Sequence, residues 1–596
     1  MTHLARSDIA WDLSEIFPSV TDPSVQSAID GVSKMAENFA RKYQGKIRGV
    51  SAEGLVKCIR EFEEYQGKLR DISMFANLSF AANMTLPETQ QLYDKATKTE
   101  ARLSKLLAFF ELETGNLVSR KPKIISDRTL KNYKHYLERL RRKAAHQLSE
   151  VEEQLIIEKD QFGVIAWEDL QLKWLNTRTF DVMVEGKKKT LTYGEASGLM
   201  PHPDRATRES AYRSIYGQLM QYGEIFSSAF RNICNDWLNV CDRRKYGNAM
   251  QASLIANDID QHTVDVLLMA TEEHGGLYRR YLKLKAKLMG LPKLGCHDTA
   301  APIPGTPKLK FDYDKAAKLA TEAYEKFDED YASPVRDMFK RNHLDSSPRF
   351  GKQHGAFCAP WYNGKSAFVL SSFNGMLRDV YTLAHELGHA THDYYSQSRQ
   401  TILNTGYIPM VVAETASIFG ELLLTDLLLN SADSDEKKKA ILCSVLDSAG
   451  NVIFKVSARA RFEQSLYDAI REGEFLNYET ICRHWIAVRD KTFLDTIEWF
   501  SEAEAEWTVT PHYYMANFRF YNYPYVYAQL FVYALYQEYL KEGKTFVEKF
   551  KKILSAGSSL SPVEIGRIVN LDVTEPSFWK LGITQYEHFL EQLEKL

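Results

Sequence analysis

His385-Glu386-x-x-His389 constrains this 596-residue chain more than any other feature of its sequence. The spacing is useful only on an α-helix, where residues four apart differ by about 40° in azimuth and leave from one face. Two imidazoles so placed can bind one zinc ion, and Glu386 can reach a water beside it without being a ligand. Val380, Leu383, Ala384 and Leu387 give that helix an apolar side on which to sit. With 15 histidines in the chain, the pattern is expected by chance roughly 0.03 times. Gly388 costs a helix about 1 kcal/mol relative to alanine, so its presence marks close packing.

A catalytic zinc takes three protein ligands and keeps one position open. The extended motif with Gly at 392 and a third histidine at 395 is excluded, because those positions hold His392 and Tyr395. From Tyr394 through Gly420 the only acidic residue is Glu414, which opens a second apolar stretch. Two helices joined by the segment around Gly406 and Pro409 would bring it to the histidines. Glu414 is therefore the expected third ligand. His392, three residues past His389, reads as structural. A zinc-bound histidine usually donates its second N–H to a carboxylate or carbonyl. Asp393 and Glu421 are candidates for that role, although each taken singly reads as a solvated carboxylate.

These parts suit hydrolysis of a peptide bond, with Glu386 taking a proton from water and passing it to the leaving amine. Charge that develops on the carbonyl oxygen then needs hydrogen-bond donors. Positions 513–527 hold six tyrosines, just after His512. Most of them read as a packed aromatic layer; His512 and one or two of the tyrosines are the candidate donors.

The rest of the chain reads as mostly helical. Thr85-Leu-Pro-Glu88, Ser149-Glu-Val-Glu152 and Ser561-Pro-Val-Glu564 have the capping-box pattern of a helix start. Charge runs at 139–143 and 436–439 read as solvated helix faces. Phe180, Val182 and Val184 alternate with polar residues before Glu185-Gly186, and an extended pattern resumes at 189–192, which predicts a small β-hairpin. Glycine and proline punctuate 350–375, where 356–358 and 367–370 read as short strands. The strand near Ala367 is a candidate to pair with a peptide backbone by strand addition. A soft boundary near residue 200 predicts an N-terminal helical domain over 1–200, including the hairpin, and a catalytic domain over 201–596.

Composition narrows the function classes. The formal net charge of -3 gives no support to nucleic-acid binding. No apolar run reads as long enough to span a bilayer, and the N-terminus lacks a secretory pattern. The seven cysteines are scattered and contain no C-x-x-C pair, which fits buried thiols in a reducing cytoplasm. The oligomeric state is not written in the chain.

Matches beyond the zinc motif run through much of the sequence: Trp11 to Pro18, Gly351 to Cys358, Leu377 to His389, Ala413 to Ser417, Pro511-His512 and Phe520 to Tyr525. In these the chain resembles oligoendopeptidase F, within the thimet oligopeptidase-like zinc metallopeptidases. The resemblance implies a mainly α, large helical ellipsoid with a deep substrate channel and a small β-sheet beside the active-site helix. It implies one zinc ion on His385, His389 and Glu414, and Glu386 as the base. It also implies His512 and a later tyrosine as transition-state donors; Tyr521 and Tyr525 both fit. The expected activity is a cytoplasmic endopeptidase acting on short unstructured oligopeptides. A zinc exopeptidase is the near rival, although the G-x-M-E-N motif of zinc aminopeptidases is absent. A helical peptide-binding protein without catalysis is the distant one.

Overall fold

The computed structural model describes residues 9–596. They form two compact units, each drawn from three stretches of chain. The first takes the described residues up to Ala145, Lys308–Ser431 and Glu538–Asp572; the second takes His146–Pro307, Ala432–Gln537 and Val573–Leu596. Residues beyond 200 therefore contribute to both. The architecture is mainly helical with small sheets, as expected.

In the first unit, Asp22 accepts a hydrogen bond from the Ser24 N–H and caps the helix Pro23–Tyr43. Val25, Ile29, Val32, Ala36 and Phe39 are its buried stripe at helical spacing. That stripe joins the helix Ala52–Ala82 in a core where the Phe62 and Phe110 rings stack 4.0 Å apart. Ser561 forms its predicted capping box. Thr85 does not: its hydroxyl donates to Asn83 Oδ1 at 2.7 Å, and the helix starts on Pro87 with no side-chain cap. Arg139 also departs from the solvated face expected of its charge run. It is buried, donates to the Tyr407 carbonyl at 3.2 Å and lies 4.2 Å from the Tyr407 ring centre.

A three-stranded sheet lies against the motif helix, in the order 344–345, 366–370, 357–361. Ser366–Leu370 is fully buried and central, antiparallel to Phe357–Trp361 and parallel to Leu344–Asp345. Strand addition at Ala367–Leu370 is thus corrected, because both flanks of that strand are already paired. The outer strand is Phe357–Trp361. It carries Pro360, which has no N–H to give and is tolerated at an edge. Trp11 packs against Phe357 and Phe368 and seats this sheet.

In the second unit the hairpin forms as read: Thr179–Val184 pairs with Lys187–Thr192. Glu185 and Gly186 turn the chain at φ 48° and 79°, as a two-residue hairpin turn requires. Ser149 completes its capping box. The helical stretch Asp435–Arg471 is apolar and long enough, by length and composition, to cross a bilayer. The reading of apolar runs missed it. More than half of its most apolar window is buried within the protein, and Phe454 stacks on Tyr278 at 5.3 Å, so it packs as a core helix. All seven cysteines are free thiols; only Cys358 is not fully buried.

Candidate active site

The helix Leu377–Arg399 carries the motif. At its start the Asp379 carboxylate accepts from the N–H groups of Met376 and Asn374 at 3.0 and 2.8 Å. Val380, Leu383, Ala384 and Leu387 are buried, so the apolar side seats as its pattern predicts. His385 and His389 leave the same face, with ring centres 4.9 Å apart.

Glu414 sits between the short turn Met410–Ala413 and the helix Thr415–Ser431. This second helix crosses the first at Gly388, where an added Cβ would lie 2.5 Å from the Ser417 Cα. The absent side chain at 388 lets the two backbones approach closely enough to bring Glu414 onto the histidines. Glu414 Oε2 is 3.3 Å from His385 Nε2 and 3.3 Å from His389 Nε2. The Ser417 hydroxyl donates to the same oxygen at 2.6 Å.

Each of the three residues offers one atom, all within 4.8 Å of one another. Ligands about 2.0–2.1 Å from a tetrahedral zinc stand roughly 3.3–3.4 Å apart. The donor set of two imidazole nitrogens and one carboxylate oxygen therefore fits zinc in type and in spacing.

Glu421, a candidate partner for a ligand histidine that singly read as a solvated carboxylate, takes that role. Its Oε1 is 2.6 Å from His385 Nδ1, which fixes that ring with Nε2 turned to Glu414. Asp393 is half-buried and engaged as well. Burial raises its carboxyl to about 7, and it lies 3.7 Å from the Cys358 thiol. His392 is structural as read: buried, lowered to about 4 by burial, and bonded to the Ala413 backbone.

The charges at the centre support one another. Burial alone would raise Glu414, but hydrogen bonds from His385 and His389 outweigh it and hold the carboxyl well below its usual range. Burial opposes charge on both imidazoles, yet Glu414 raises them, joined at His385 by Glu421. Burial raises Glu386, only 7% exposed, above the ordinary carboxyl value. A carboxylate raised by burial is a stronger base than one in water.

His385, Glu386, His389 and Glu414 are thus brought together in the first unit. His512, Tyr521 and Tyr525 are brought together in the second. The His512 ring stacks on Tyr521 at 5.1 Å and lies 5.7 Å from Tyr525. Tyr513, Tyr514, Tyr523 and Tyr527 are fully buried, as a packed aromatic layer predicts; Tyr521 and Tyr525 are partly exposed. Phe520, just before Tyr521, has φ 55°, a costly backbone for an aromatic residue. Buried Glu463 accepts from its N–H at 2.8 Å and the Ser253 hydroxyl donates to its carbonyl at 3.2 Å. Burial raises Glu463 to about 7.

Comparison with known proteins gives the family. The profile of peptidase family M3 matches residues 198–583, and that of Oligopeptidase F matches 123–177. An oligoendopeptidase F homolog of Lactococcus lactis subsp. lactis is 28% identical over 600 residues, covering 99% of this chain and 97% of that one. Oligopeptidase PepF of Bacillus subtilis is 26% identical over 601 residues, covering 99% and 88%. The crystal structure of oligoendopeptidase-F from Enterococcus faecium superposes with a TM-score of 0.69 at 22% identity, over 96% of this chain and 98% of that one. A Chlamydophila abortus chain assigned as a peptidase reaches 0.87 at 21% identity, over 99% of both. The two structural likenesses speak for the fold alone. The profile match over 198–583 spans well over half of the sequence, and the chain belongs to peptidase family M3.

Proposed function

We propose that this M3 peptidase is a zinc-dependent endopeptidase that hydrolyses internal bonds of short unstructured peptides, with Glu386 as general base. The observation that carries the reading is the placement of Glu414 Oε2 at 3.3 Å from both imidazole nitrogens, with His385 fixed from behind by Glu421. The printed names of the relatives, oligoendopeptidase F and oligopeptidase, support oligopeptides as substrates. Free, buried thiols support a reducing compartment, the cytoplasm. The profile match supports assigning the catalytic part to 201–596.

His385, His389 and Glu414 would hold the zinc. When bound there, zinc supplies a Lewis acid that polarises a peptide carbonyl and lowers the pKa of water toward about 7. Glu386 accepts the proton of the attacking water on its carboxylate and returns it to the leaving nitrogen. Its position one residue after His385 places it beside the ligands without being one of them. His512 and Tyr521 or Tyr525 are the proposed donors to the oxygen that gains charge. The strain held at Phe520 fixes where the tyrosine pair starts.

An internally quenched peptide of about ten residues, blocked at both ends, tests this reading. The expected result is cleavage that a chelator abolishes and added zinc restores. Cleavage only of the unblocked twin would make the chain an exopeptidase, and chelator-resistant cleavage would remove the metal from the mechanism.

Glu421→Gln tests the support behind the site. The amide cannot hold the His385 N–H as a carboxylate does, and loss of such partners typically lowers metal affinity about 10–100-fold. Titration of the metal-stripped variant with zinc should show that drop, with the far-UV circular dichroism unchanged. Wild-type affinity would show that Glu421 does not tune the ligand.

A further inference from the structure

The motif helix continues for more than two turns beyond His389, to Arg399. The outer strand Phe357–Trp361 runs beside it in the same direction. Cys358 lies against Asp393 at 3.7 Å, and further on the Tyr362 hydroxyl donates to the Gln400 carbonyl at 3.1 Å. Strand and helix lead into a cavity of about 600 Å³ that lies wholly within the first unit. Its walls include Ala359 and Pro360 from the strand, Gln397 from the motif helix, Arg70 and Asn77 from Ala52–Ala82, and Glu100. Arg70 and Asn77 are seven residues apart and share one face of their helix.

Arg70 is a half-buried cation without a paired anion. Its guanidinium makes one long hydrogen bond, Nη1 to the Ile402 carbonyl at 3.4 Å. Among the described residues no carboxylate comes within ion-pair distance of it. The two acids whose charge acts on it, Glu100 and Glu63, are engaged elsewhere. Glu100 accepts from the Ser73 hydroxyl at 2.7 Å, and Glu63 accepts from the Tyr133 hydroxyl at 2.6 Å and the Leu403 N–H at 3.1 Å. Burial pushes Arg70 below its ordinary value. Gly406 packs against the guanidinium, and an added Cβ there would make the Arg70 tip shift. A half-buried guanidinium with open donors is a fork for a carboxylate.

The helix gives the distance. Gln397 is eight residues past His389, about 12 Å along the axis at 1.5 Å per residue. An extended peptide covers that length in about four residues at roughly 3.3 Å each. We propose that Arg70 receives a substrate carboxylate about four residues from the scissile bond, making this cavity a specificity subsite. The proposal rests on the peptidase reading above. The carboxylate is the C-terminus of a short peptide or an Asp or Glu side chain within a longer one.

The test is a series of quenched peptides with one cleavable bond. One ends in a free carboxylate four residues past that bond; its twin ends in an amide. Further amides carry Asp at the third, fourth or fifth place on either side. The wild type should cleave at least one carboxylate-bearing peptide with a kcat/KM about tenfold or more above the plain amide, mostly through KM. Preference for the free acid identifies the terminus, and preference for an Asp amide identifies the side chain. Arg70→Met should bring the ratio to about one, and Arg70→Lys should restore part of it. Arg70→Gln, which keeps a polar tip without the charge, should likewise bring the ratio toward one, and carries the test if Arg70→Met does not fold. A ratio that survives Arg70→Met, or Arg70→Gln in its place, overturns the subsite. So does a wild type that cleaves all peptides equally, which leaves the peptidase reading standing. A wild type that cleaves none overturns both.

Discussion

Glu386→Gln is expected to lower kcat on a blocked peptide by about 10³-fold or more, with peptide affinity and zinc content unchanged. Glutamine keeps the size and shape of the side chain but cannot accept a proton. General bases of this kind contribute typically 10²–10⁴-fold. The upper part of that range applies here because Glu386 is buried and its carboxyl is raised by that burial. His385 and His389 oppose that rise, and Glu414 and Glu421 add to it. Single-turnover rates and equilibrium binding of the same peptide separate the two effects. A variant within tenfold of the wild type would place the base elsewhere. Loss of peptide binding along with the rate would make Glu386 a binding residue.

Gly388→Ala is expected to be the most damaging single-methyl change in the site. The new Cβ would run into the Ala416 carbonyl and lie 2.5 Å from the Ser417 Cα. Both obstacles are backbone, so no side chain can turn away. The opposing helix makes a matching demand at Gly420, where a Cβ would meet the Tyr324 hydroxyl and lie 3.1 Å from the Ala384 carbonyl. Tyr324 donates to that carbonyl at 2.7 Å, so the two helices and a third share one contact. Overpacking typically costs about 1–3 kcal/mol, and a backbone clash belongs at the top of that range. Separating the helices also draws Glu414 from the imidazoles, so zinc affinity should fall with stability. Denaturant melts and zinc titrations of the variant measure both. Wild-type values in both would mean that the helices do not meet at Gly388.

The parts of the site that were legible in the sequence are those set by local geometry. His385 and His389 are placed by helical spacing alone. Glu414 stood out because no other carboxylate lies between 394 and 420, and Gly388 because a glycine inside a helix needs a reason. Glu421 was visible as a candidate but read as solvated, since spacing along one helix does not say what the facing helix presents to it. Asp393 failed for the same reason, being covered by the strand that carries Cys358. Strand order is non-local, so 367–370 read as a candidate to pair with a peptide although 344–345 covers one side of it. Thr85 shows a local rule losing to a neighbour: Asn83 takes the hydroxyl before the helix can. Arg139 shows a charge run bent by a partner 268 residues away. The left-handed turn at Phe520 left no trace in its residue type, because buried Glu463 and Ser253 impose it from other helices.

The central claim is that His385, His389 and Glu414 hold a zinc ion. Elemental analysis of the purified wild type, Glu386→Gln and Glu414→Ala, prepared alike, tests it most directly. The account predicts about one zinc per chain in the first two and essentially none in Glu414→Ala. A wild type that carries no zinc after reconstitution, or a Glu414→Ala protein that keeps a full equivalent, would contradict it.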